Sequence, residues 1–554
     1  MHNKQKKSHL SLAVLSAAVW PLSPAYSAMY VNDQGTGETL IFPFYSTENG
    51  NDTYINLANA TASHKAVKVR ILEAQNSQEV LDFNLYLSPE DHFAFAMTST
   101  EAGGAKLLTR DRSCTVPLIP SDGVNFRDSK YLGDKQMSDP AVTTDFDNTA
   151  IGRTQVGYVE VIEMGQLDPL SPPVIDVEGL AQPAVKAINA AAAITHDGDG
   201  VPANCELLVR AWSRTGGVDG VWLAESRTTG LTGDSEFLAD WAGGGLYGYA
   251  TVINVPQGTA FSYDAVAIAG HVAAGSSGSD MHYQPGDIRP NFGDGALDTV
   301  ATVPINGAAV NLDFDGDYLS EATERVQALN ATMMATEVYN DYVTDPMIAA
   351  TTDWLLTFPT KAFHVNGTEP IEPFSALWTG QTACEPAALS LVNREESTAT
   401  NLPDEEIPDF SPAPPIAPGP EPANKDVPLC YEATVVQFAK EAAAGASAIT
   451  VGVNAFLDAH DGWATLNFLP AALDSTLGRC DVDGDIAVDL DLKETCTRTI
   501  DAGDGQLYGL PVVGFAFQKY VNGNVEGAGV LANYAMATVH KSCVAGSGTI
   551  AAEC

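Results

Sequence analysis

The segment 313–324 concentrates carboxylates at a spacing that suits metal binding. Asp313, Asp315 and Asp317 alternate along it, and Glu321 and Glu324 follow. Carboxylates this close repel one another unless a cation neutralises them, and Ca²⁺ takes six to eight oxygen ligands, which alternate positions of a tight turn can supply. The segment therefore predicts a calcium site. The alternative is a solvated acidic loop whose negative charge stabilises the N-terminus of the helix that follows.

The same twelve residues resemble the calcium-binding loop of the EF-hand family. The resemblance implies ligands, in chain order, from Asp313, Asp315, Asp317, the backbone carbonyl of Leu319, Glu321 through a water, and Glu324 as the closing bidentate carboxylate. Two features depart from the family's pattern. Tyr318 stands where the loop has glycine for its sharp turn, and the residues before the loop have a strand pattern rather than a helical one.

A second acidic cluster lies between Cys480 and Cys496. Asp481, Asp483 and Asp485 alternate in the same way. No glutamate follows at the step where a calcium loop closes, so this cluster is a weaker candidate for the same cation.

The sequence lacks the local motifs that mark common catalytic sites. It contains no G-x-S-x-G, no H-E-x-x-H, no P-loop and no dinucleotide fingerprint. His271 and His282, the closest histidine pair after the N-terminal region, are interpreted as loop residues rather than as a ligand pair. A glycosidase needs two carboxylates about 5–9 Å apart, and 70 acidic residues offer too many pairs to choose from. An enzymatic activity is unsupported by the sequence.

Charge and composition exclude some partners. The chain carries 28 basic and 70 acidic side chains, a formal net charge of −42. Such a surface repels nucleic acid and anionic lipid, so we expect neither as a partner. Because 45% of the residues are hydrophobic and seven are tryptophan, the chain is able to bury a sizeable core and is not typical of a disordered protein.

Residues 1–28 predict a secretory signal peptide. Three lysines, an apolar stretch at 10–22 and a small-residue site at 25–28 follow one another in the usual order. About 13 apolar residues fall short of the roughly 20 that a membrane span needs. Cleavage near Ser27 or Ala28 predicts an exported chain without membrane insertion, at the cell surface, outside the cell or in the periplasm.

All eight cysteines follow the predicted signal, and none lies in a C-x-x-C motif. An even number in an exported chain predicts disulfides. Sequential pairing is the preferred connectivity, with Cys480–Cys496 and Cys543–Cys554 favoured most because these partners are close in sequence. The other connectivities stay open.

The hydrophobic pattern predicts mostly strands. Apolar and polar residues alternate, between breaks rich in turn formers, over 53–57, 66–72, 80–87, 92–97, 157–164, 250–255 and 260–268. Helical spacing appears at 184–194 and 320–343. We therefore expect an all-β dominated protein, an antiparallel β-sandwich that is immunoglobulin-like in outline, with a few inserted helices.

The chain divides into five predicted parts. After the signal peptide, residues 29–310 are expected to form the β-sandwich, with short helical insertions. Residues 311–400 contain the acidic loop and its helix. Residues 401–428, rich in proline, form a linker or, if Cys384 pairs with Cys430, a closed loop. Residues 429–554 form a C-terminal β region.

These features favour an exported extracellular or cell-surface protein that acts by binding or assembly, as a structural or adhesive, calcium-stabilised component. The expected partner is a second copy or a surface or matrix component. The alternatives are a secreted hydrolase of polysaccharide with unidentified carboxylates, and a periplasmic binding component. A cleft with two facing carboxylates and aromatic walls would favour the hydrolase, whereas flat apolar patches and exposed sheet edges would favour assembly.

Overall fold

The structure is a computed structural model. It describes residues 28–128, 151–171, 188–215, 218–219, 222, 236–238, 241, 243–272, 281–295, 299–318, 320–393, 424–439, 449–453, 460–469, 498–503, 505–524 and 531–548.

Strands dominate this part of the chain. In chain order they are β1 Tyr30–Val31, β2 Thr39–Ser46, β3 Asn51–Asn59, β4 His64–Glu73, β5 Glu79–Leu87, β6 His92–Ser99, β7 Ala105–Leu108, β8 Cys114–Val116, β9 Val124–Asn125, β10 Val156–Leu167, β11 Arg214–Thr215, β12 Val218–Asp219, β13 Leu246–Asn254, β14 Thr259–Asp264, β15 Val266–Ala269, β16 Val300–Ile305, β17 Ala308–Asp313, β18 Met334–Ala335, β19 Glu337–Val343, β20 Ala350–Thr357, β21 Glu385–Asn393, β22 Asn424–Leu429, β23 Ala433–Gln437, β24 Thr450–Gly452, β25 Asp461–Asn467, β26 Thr499–Ala502, β27 Gly505–Tyr508, β28 Leu510–Pro511, β29 Val513–Asn524, β30 Leu531–Val539, β31 Lys541–Cys543 and β32 Ala545–Gly548.

The helices are short. The α-helices span Ala190–Ile194, Cys205–Ala211, Phe292–Gly295, Glu321–Met333 and Lys361–Val365, and 3₁₀ turns span Ile151–Gln155 and Pro346–Ile348. The prediction of a mostly β protein with a few helices is confirmed.

The N-terminal sheets bury one common core. A seven-stranded sheet has the order β1-β15-β2-β10-β4-β5-β8, and a six-stranded sheet has the order β14-β13-β3-β6-β7-β9. Alternate residues of each contribute to the same cluster, for example Phe42 and Val69 from the first sheet and Ile55 and Phe95 from the second. The immunoglobulin-like outline stays a prediction.

Two five-stranded sheets follow, with the orders β22-β21-β25-β19-β31 and β24-β23-β20-β29-β30. The second of these is buried on both faces. Leu355 and Phe515 pack into the N-terminal core, whereas their neighbours Trp354 and Ala516 pack into a separate core shared with the other five-stranded sheet. This double burial applies to the inner strands β20 and β23, whereas Tyr534, Met536 and Val539 on the edge strand β30 are exposed.

The strand predictions are confirmed except at one point. The predicted strand 260–268 is two strands, because the chain crosses from the six-stranded sheet to the seven-stranded sheet at Ala265. The helix predicted over 320–343 was also too long. It ends at Met333, and residues 337–343 instead pair with β25 and β31, where Val338 and Tyr342 are buried.

Two of the sequential disulfides are present, Cys114–Cys205 and Cys384–Cys430. Cys543 is also disulfide-bonded. Its predicted partner Cys554 and the predicted pair Cys480–Cys496 lie outside the described residues, so these pairings stay predictions. In the proline-rich part, residues 401–423 also lie outside, and the end of that part belongs to β22, which pairs with β21.

Candidate functional site

The acidic loop joins β17 to the helix Glu321–Met333. Asp313 is the last residue of the strand, and the buried ring of Phe314 anchors the start of the turn. Gly316, at φ 86°, provides the left-handed turn that the EF-hand family obtains at the position of Tyr318. The Tyr318 hydroxyl accepts a hydrogen bond of 2.8 Å from the backbone N–H of Asp501 instead.

The loop carboxylates that have described contacts accept hydrogen bonds from the protein itself. Asp313 accepts from the Thr299 hydroxyl and from the Asp315 N–H, both at 3.1 Å. Glu324 is buried and accepts from the Gly316 N–H at 3.1 Å. In addition, Asp317 accepts from a backbone N–H in the turn after β26, and Glu321 pairs with Arg325.

These contacts favour the alternative to a calcium site, an acidic loop that caps the N-terminus of the following helix. Ser320 caps the helix by accepting from the Thr323 N–H, and Glu321 and Glu324 lie in the first turn, where the helix dipole favours negative charge. Within the described residues, no group of three or more His, Cys, Asp or Glu side chains is placed to hold one metal ion. Leu319 and the second cluster, Asp481, Asp483 and Asp485, lie outside them. Calcium binding stays a prediction.

Charged side chains that the sequence predicts to face solvent on β4 are buried. Lys65 pairs with Glu163, and Arg70 pairs with Glu79 at 3.0 Å and with Glu160. Lys68 of β4 pairs with Asp82 of β5, and Glu73 of β4 pairs with Arg153 in the 3₁₀ turn before β10. The alternation in β4 indicated one exposed face, but other parts of the chain cover both faces.

Among these carboxylates, Glu163 has a strongly perturbed pKa. Burial raises its pKa to about 7, against the opposing effect of the Lys65 ammonium, and burial also raises the pKa of Glu38 nearby. The Gly244 N–H donates to Glu163 at 2.9 Å, and a side-chain carbon at Gly243 would collide with Glu38. Two close carboxylates with raised pKa values are a candidate for acid–base chemistry. Here they are closed off from solvent, so a substrate has no access to them.

A second buried polar centre is formed by His282. Its ring centroid lies 4.7 Å from those of Trp222 and Phe237, 4.8 Å from that of Trp212 and 5.7 Å from that of Tyr86. His271 lies in a different environment, between the hydroxyl of Thr39 at 2.6 Å and the carbonyl of Phe292 at 2.8 Å. Each histidine therefore has its own buried partners. No local sequence signal identified these, because the partners are distant in the chain.

A small cavity lies within the N-terminal core, where strands β20, β23 and β29 pack against the N-terminal sheets. It is lined by Asp353 and six apolar side chains, Phe44, Phe261, Leu355, Val435, Phe515 and Phe517. With a single carboxylate, it does not provide the pair that glycoside hydrolysis needs.

The largest exposed aromatic group lies on the outer side of the six-stranded sheet. Tyr54, Tyr247 and Tyr249 are 40%, 43% and 42% exposed, and we call the sheet surface that carries them the tyrosine face. Their neighbours along the strands point inward: Ile55 and Leu246 are fully buried. The alternation of β13 contained this signal, but only its pairing with β3 brings the three rings onto one surface.

The strand register fixes the geometry of the tyrosine face. Tyr249 lies opposite Asn56 and Tyr247 opposite Ala58. The two rings of β13 are two residues apart, about 7 Å along the strand, and Tyr54 is the diagonal neighbour of Tyr249 at roughly 7–8 Å. Asn56 and Ala58 belong to this outer side but are buried, which indicates that the flanking tyrosines cover them. The result is a flat, wide surface rather than a cleft.

Comparisons with protein-family models, with curated proteins and with solved structures found no match. No helix in the described part of the chain is long and apolar enough to cross a membrane.

Proposed function

We propose that this chain is an exported extracellular or cell-surface protein that acts by binding or assembly, as a structural or adhesive component without enzymatic activity. The observation that carries the proposal is the tyrosine face. Contiguous exposed aromatic surface on a protein of this charge is costly unless it meets a partner, and tyrosine is enriched where proteins associate.

Two further observations support the proposal. The neighbouring carboxylates Glu38 and Glu163, whose pKa values are raised, are buried and closed to substrate. The disulfides Cys114–Cys205 and Cys384–Cys430 fit an oxidising compartment, as export requires. Calcium at the loop 313–324 would be a stabilising ion in this scheme rather than a catalytic one.

The proposal is tested by locating the protein and assaying it. Fractionation of the native host, with immunodetection of the chain, should place it in the surface or extracellular fraction. The purified protein should show no turnover of generic ester, peptide or glycan substrates. Saturable cleavage of a polysaccharide that a single Asp or Glu substitution abolishes would instead support the secreted hydrolase.

A further inference from the structure

We propose that the tyrosine face is the site at which a second copy of this chain docks, face to face, to form a symmetric dimer. This inference rests on the proposed assembly function and names its partner and its surface. It follows from the size of the face, its composition and the distribution of charge around it.

The tyrosine face is large enough for a specific interface. Five adjacent strands, β14-β13-β3-β6-β7, form it. Neighbouring strands are about 4.8 Å apart, each residue adds about 3.3 Å along a strand, and the five strands are about seven residues long on average. The face therefore measures roughly 24 by 23 Å, or about 550 Å². Two such faces together bury about 1,100 Å², which is close to the lower limit of specific protein interfaces.

The composition of the face is that of an interface centre. Its three middle strands present Tyr54, Tyr247, Tyr249, Thr251, Ala94 and Ala96 outward, all of them uncharged, whereas the carboxylate of Asp52 lies on the same side near the start of β3. Interface centres are depleted in charge and enriched in tyrosine. In a chain with 70 acidic residues, a surface of this size with so few charges is suited to contact with another protein surface.

Charges lie at the two flanks of the face and have opposite signs. Asp264 is exposed on β14 at one flank, and Lys106 and Arg110 lie on or just beyond β7 at the other. A two-fold axis parallel to the strands places the acidic flank of one copy over the basic flank of the other. An isologous contact of this kind repeats each favourable pair twice.

The net charge of −42 predicts how salt acts on the dimer. Two such chains repel at long range, and this repulsion extends over about 10 Å at 0.1 M salt but only about 3 Å at 1 M. The contact itself is mostly uncharged. Association should therefore strengthen when NaCl rises from 0.1 to 1 M, whereas binding of a cationic partner would weaken.

Sedimentation velocity of the mature chain tests the inference across protein concentrations and at both salt concentrations. The wild type should form dimers, more strongly at 1 M NaCl, and the triple variant Tyr54→Ser, Tyr247→Ser, Tyr249→Ser should associate at least tenfold more weakly. Tyr534→Ser is the matched control, because Tyr534 is 63% exposed on β30, outside the face. Its association should equal that of the wild type, and circular dichroism should show all variants folded.

Three results would overturn the inference: a wild type that stays monomeric at both salt concentrations, a triple variant that dimerises like the wild type, or an equal loss in Tyr534→Ser. Binding of a neutral polysaccharide by a monomeric wild type, lost in the triple variant, would assign the face to a glycan. A monomer found at the cell surface contradicts this inference only, whereas a dimer that hydrolyses polysaccharide contradicts the proposed function only.

Discussion

The hydroxyl oxygen of Tyr86 lies 2.8 Å from Nε2 of His282, inside the closed aromatic centre of the N-terminal half. The indole N–H of Trp212 donates to the same oxygen at 3.0 Å, so the tyrosine hydrogen is directed to the histidine. A neutral imidazole with its hydrogen on Nδ1 suits this arrangement, and Nδ1 has no hydrogen-bond partner among the described residues. Protonation of His282 would add a charge that burial and the ammonium of Lys68 both disfavour.

The first prediction concerns acid stability. Burial lowers the pKa of His282 to about 3 and those of His271 and His364 to about 4, from an ordinary value of 6.5. Because the folded-state values are depressed, the stability from these groups is present above pH 6.5 and is lost as the pH falls through 4 towards 3. Each histidine can remove on the order of 3–5 kcal/mol as the pH falls from 6.5 to its folded-state pKa.

The variant His282→Phe tests the contribution of one group. It should lower the melting temperature at pH 7, where Tyr86 loses its acceptor, but the further decrease between pH 6.5 and pH 4 should be smaller than in the wild type. Melting temperature measured across this range is the readout. An unchanged pH dependence would show that His282 does not titrate on unfolding.

The second prediction concerns the buried pair Lys65–Glu163. Removal of one partner leaves the other charge buried, at a cost of about 3–5 kcal/mol. The folded-state pKa of Glu163 is raised to about 7, so its contribution to stability is greatest below pH 4.5 and is lost as the pH rises through 7. Lys65→Met should therefore destabilise strongly at pH 8 and less at pH 5, where the remaining carboxylate takes up a proton.

The control for this prediction is Glu163→Gln. Glutamine does not titrate, so the variant lacks the stability that Glu163 contributes at low pH, and its cost should be smaller at pH 8 than at pH 5, the opposite of the dependence expected for Lys65→Met. The double variant Lys65→Met with Glu163→Gln should recover most of the stability. Urea unfolding at the two pH values measures all three, and equal costs for Lys65→Met at both would contradict the assignment.

The third prediction concerns Met29, next to the predicted cleavage site. Its side chain is fully buried, its N–H donates to the Val300 carbonyl at 2.9 Å, and its carbonyl accepts from the Thr302 N–H at 2.7 Å. The adjoining β1 pairs with β15, so these first residues connect the seven-stranded sheet to the hairpin β16–β17. Met29→Ala should cost about 2–5 kcal/mol, as is usual for a buried methionine.

Tyr30→Ala is the comparison for Met29→Ala, because Tyr30 is 40% exposed and follows Met29 directly, as the first residue of β1. It should cost distinctly less. Chemical denaturation measures the free energy of unfolding of the two variants. Similar decreases in both would mean that backbone hydrogen bonds alone, and not the Met29 side chain, hold these first residues to the hairpin β16–β17.

The strands of the N-terminal half were predictable because their alternation is local. The runs 53–57, 80–87 and 92–97 have one apolar residue in every two, and each became a strand with that face in the core. The change of sheet at Ala265 and the end of the helix at Met333 were not predictable in this way. Both depend on pairing with strands far away in the chain, which overrides the local pattern.

The same distinction between local and distant residues applies to the candidate sites. The acidic loop was identified because its residues are contiguous, whereas Tyr86 and His282 are 196 positions apart. The alternating charged residues of β4 are typical of a solvent-exposed face. Their burial could not be predicted, because it depends on which distant parts of the chain cover them. The tyrosine face needed the register between β3 and β13, which no local pattern specifies.

The last prediction concerns calcium at the loop 313–324. If Asp313, Asp315, Asp317 and Glu324 converge on an ion, binding adds to the stability of the folded chain, by about 2.7 kcal/mol at a hundredfold excess over the dissociation constant. A chelator should lower the melting temperature and millimolar calcium should restore it, with magnesium less effective because it requires a tighter octahedron.

The variant Asp315→Asn with Glu324→Gln should abolish the response of the melting temperature to calcium. Glutamine at 324 retains the oxygen that accepts from the Gly316 N–H, so this variant removes charge and keeps the cap. Sodium chloride at equal ionic strength is the control for screening. Rescue by sodium chloride equal to that by calcium would identify the segment as a capping loop alone.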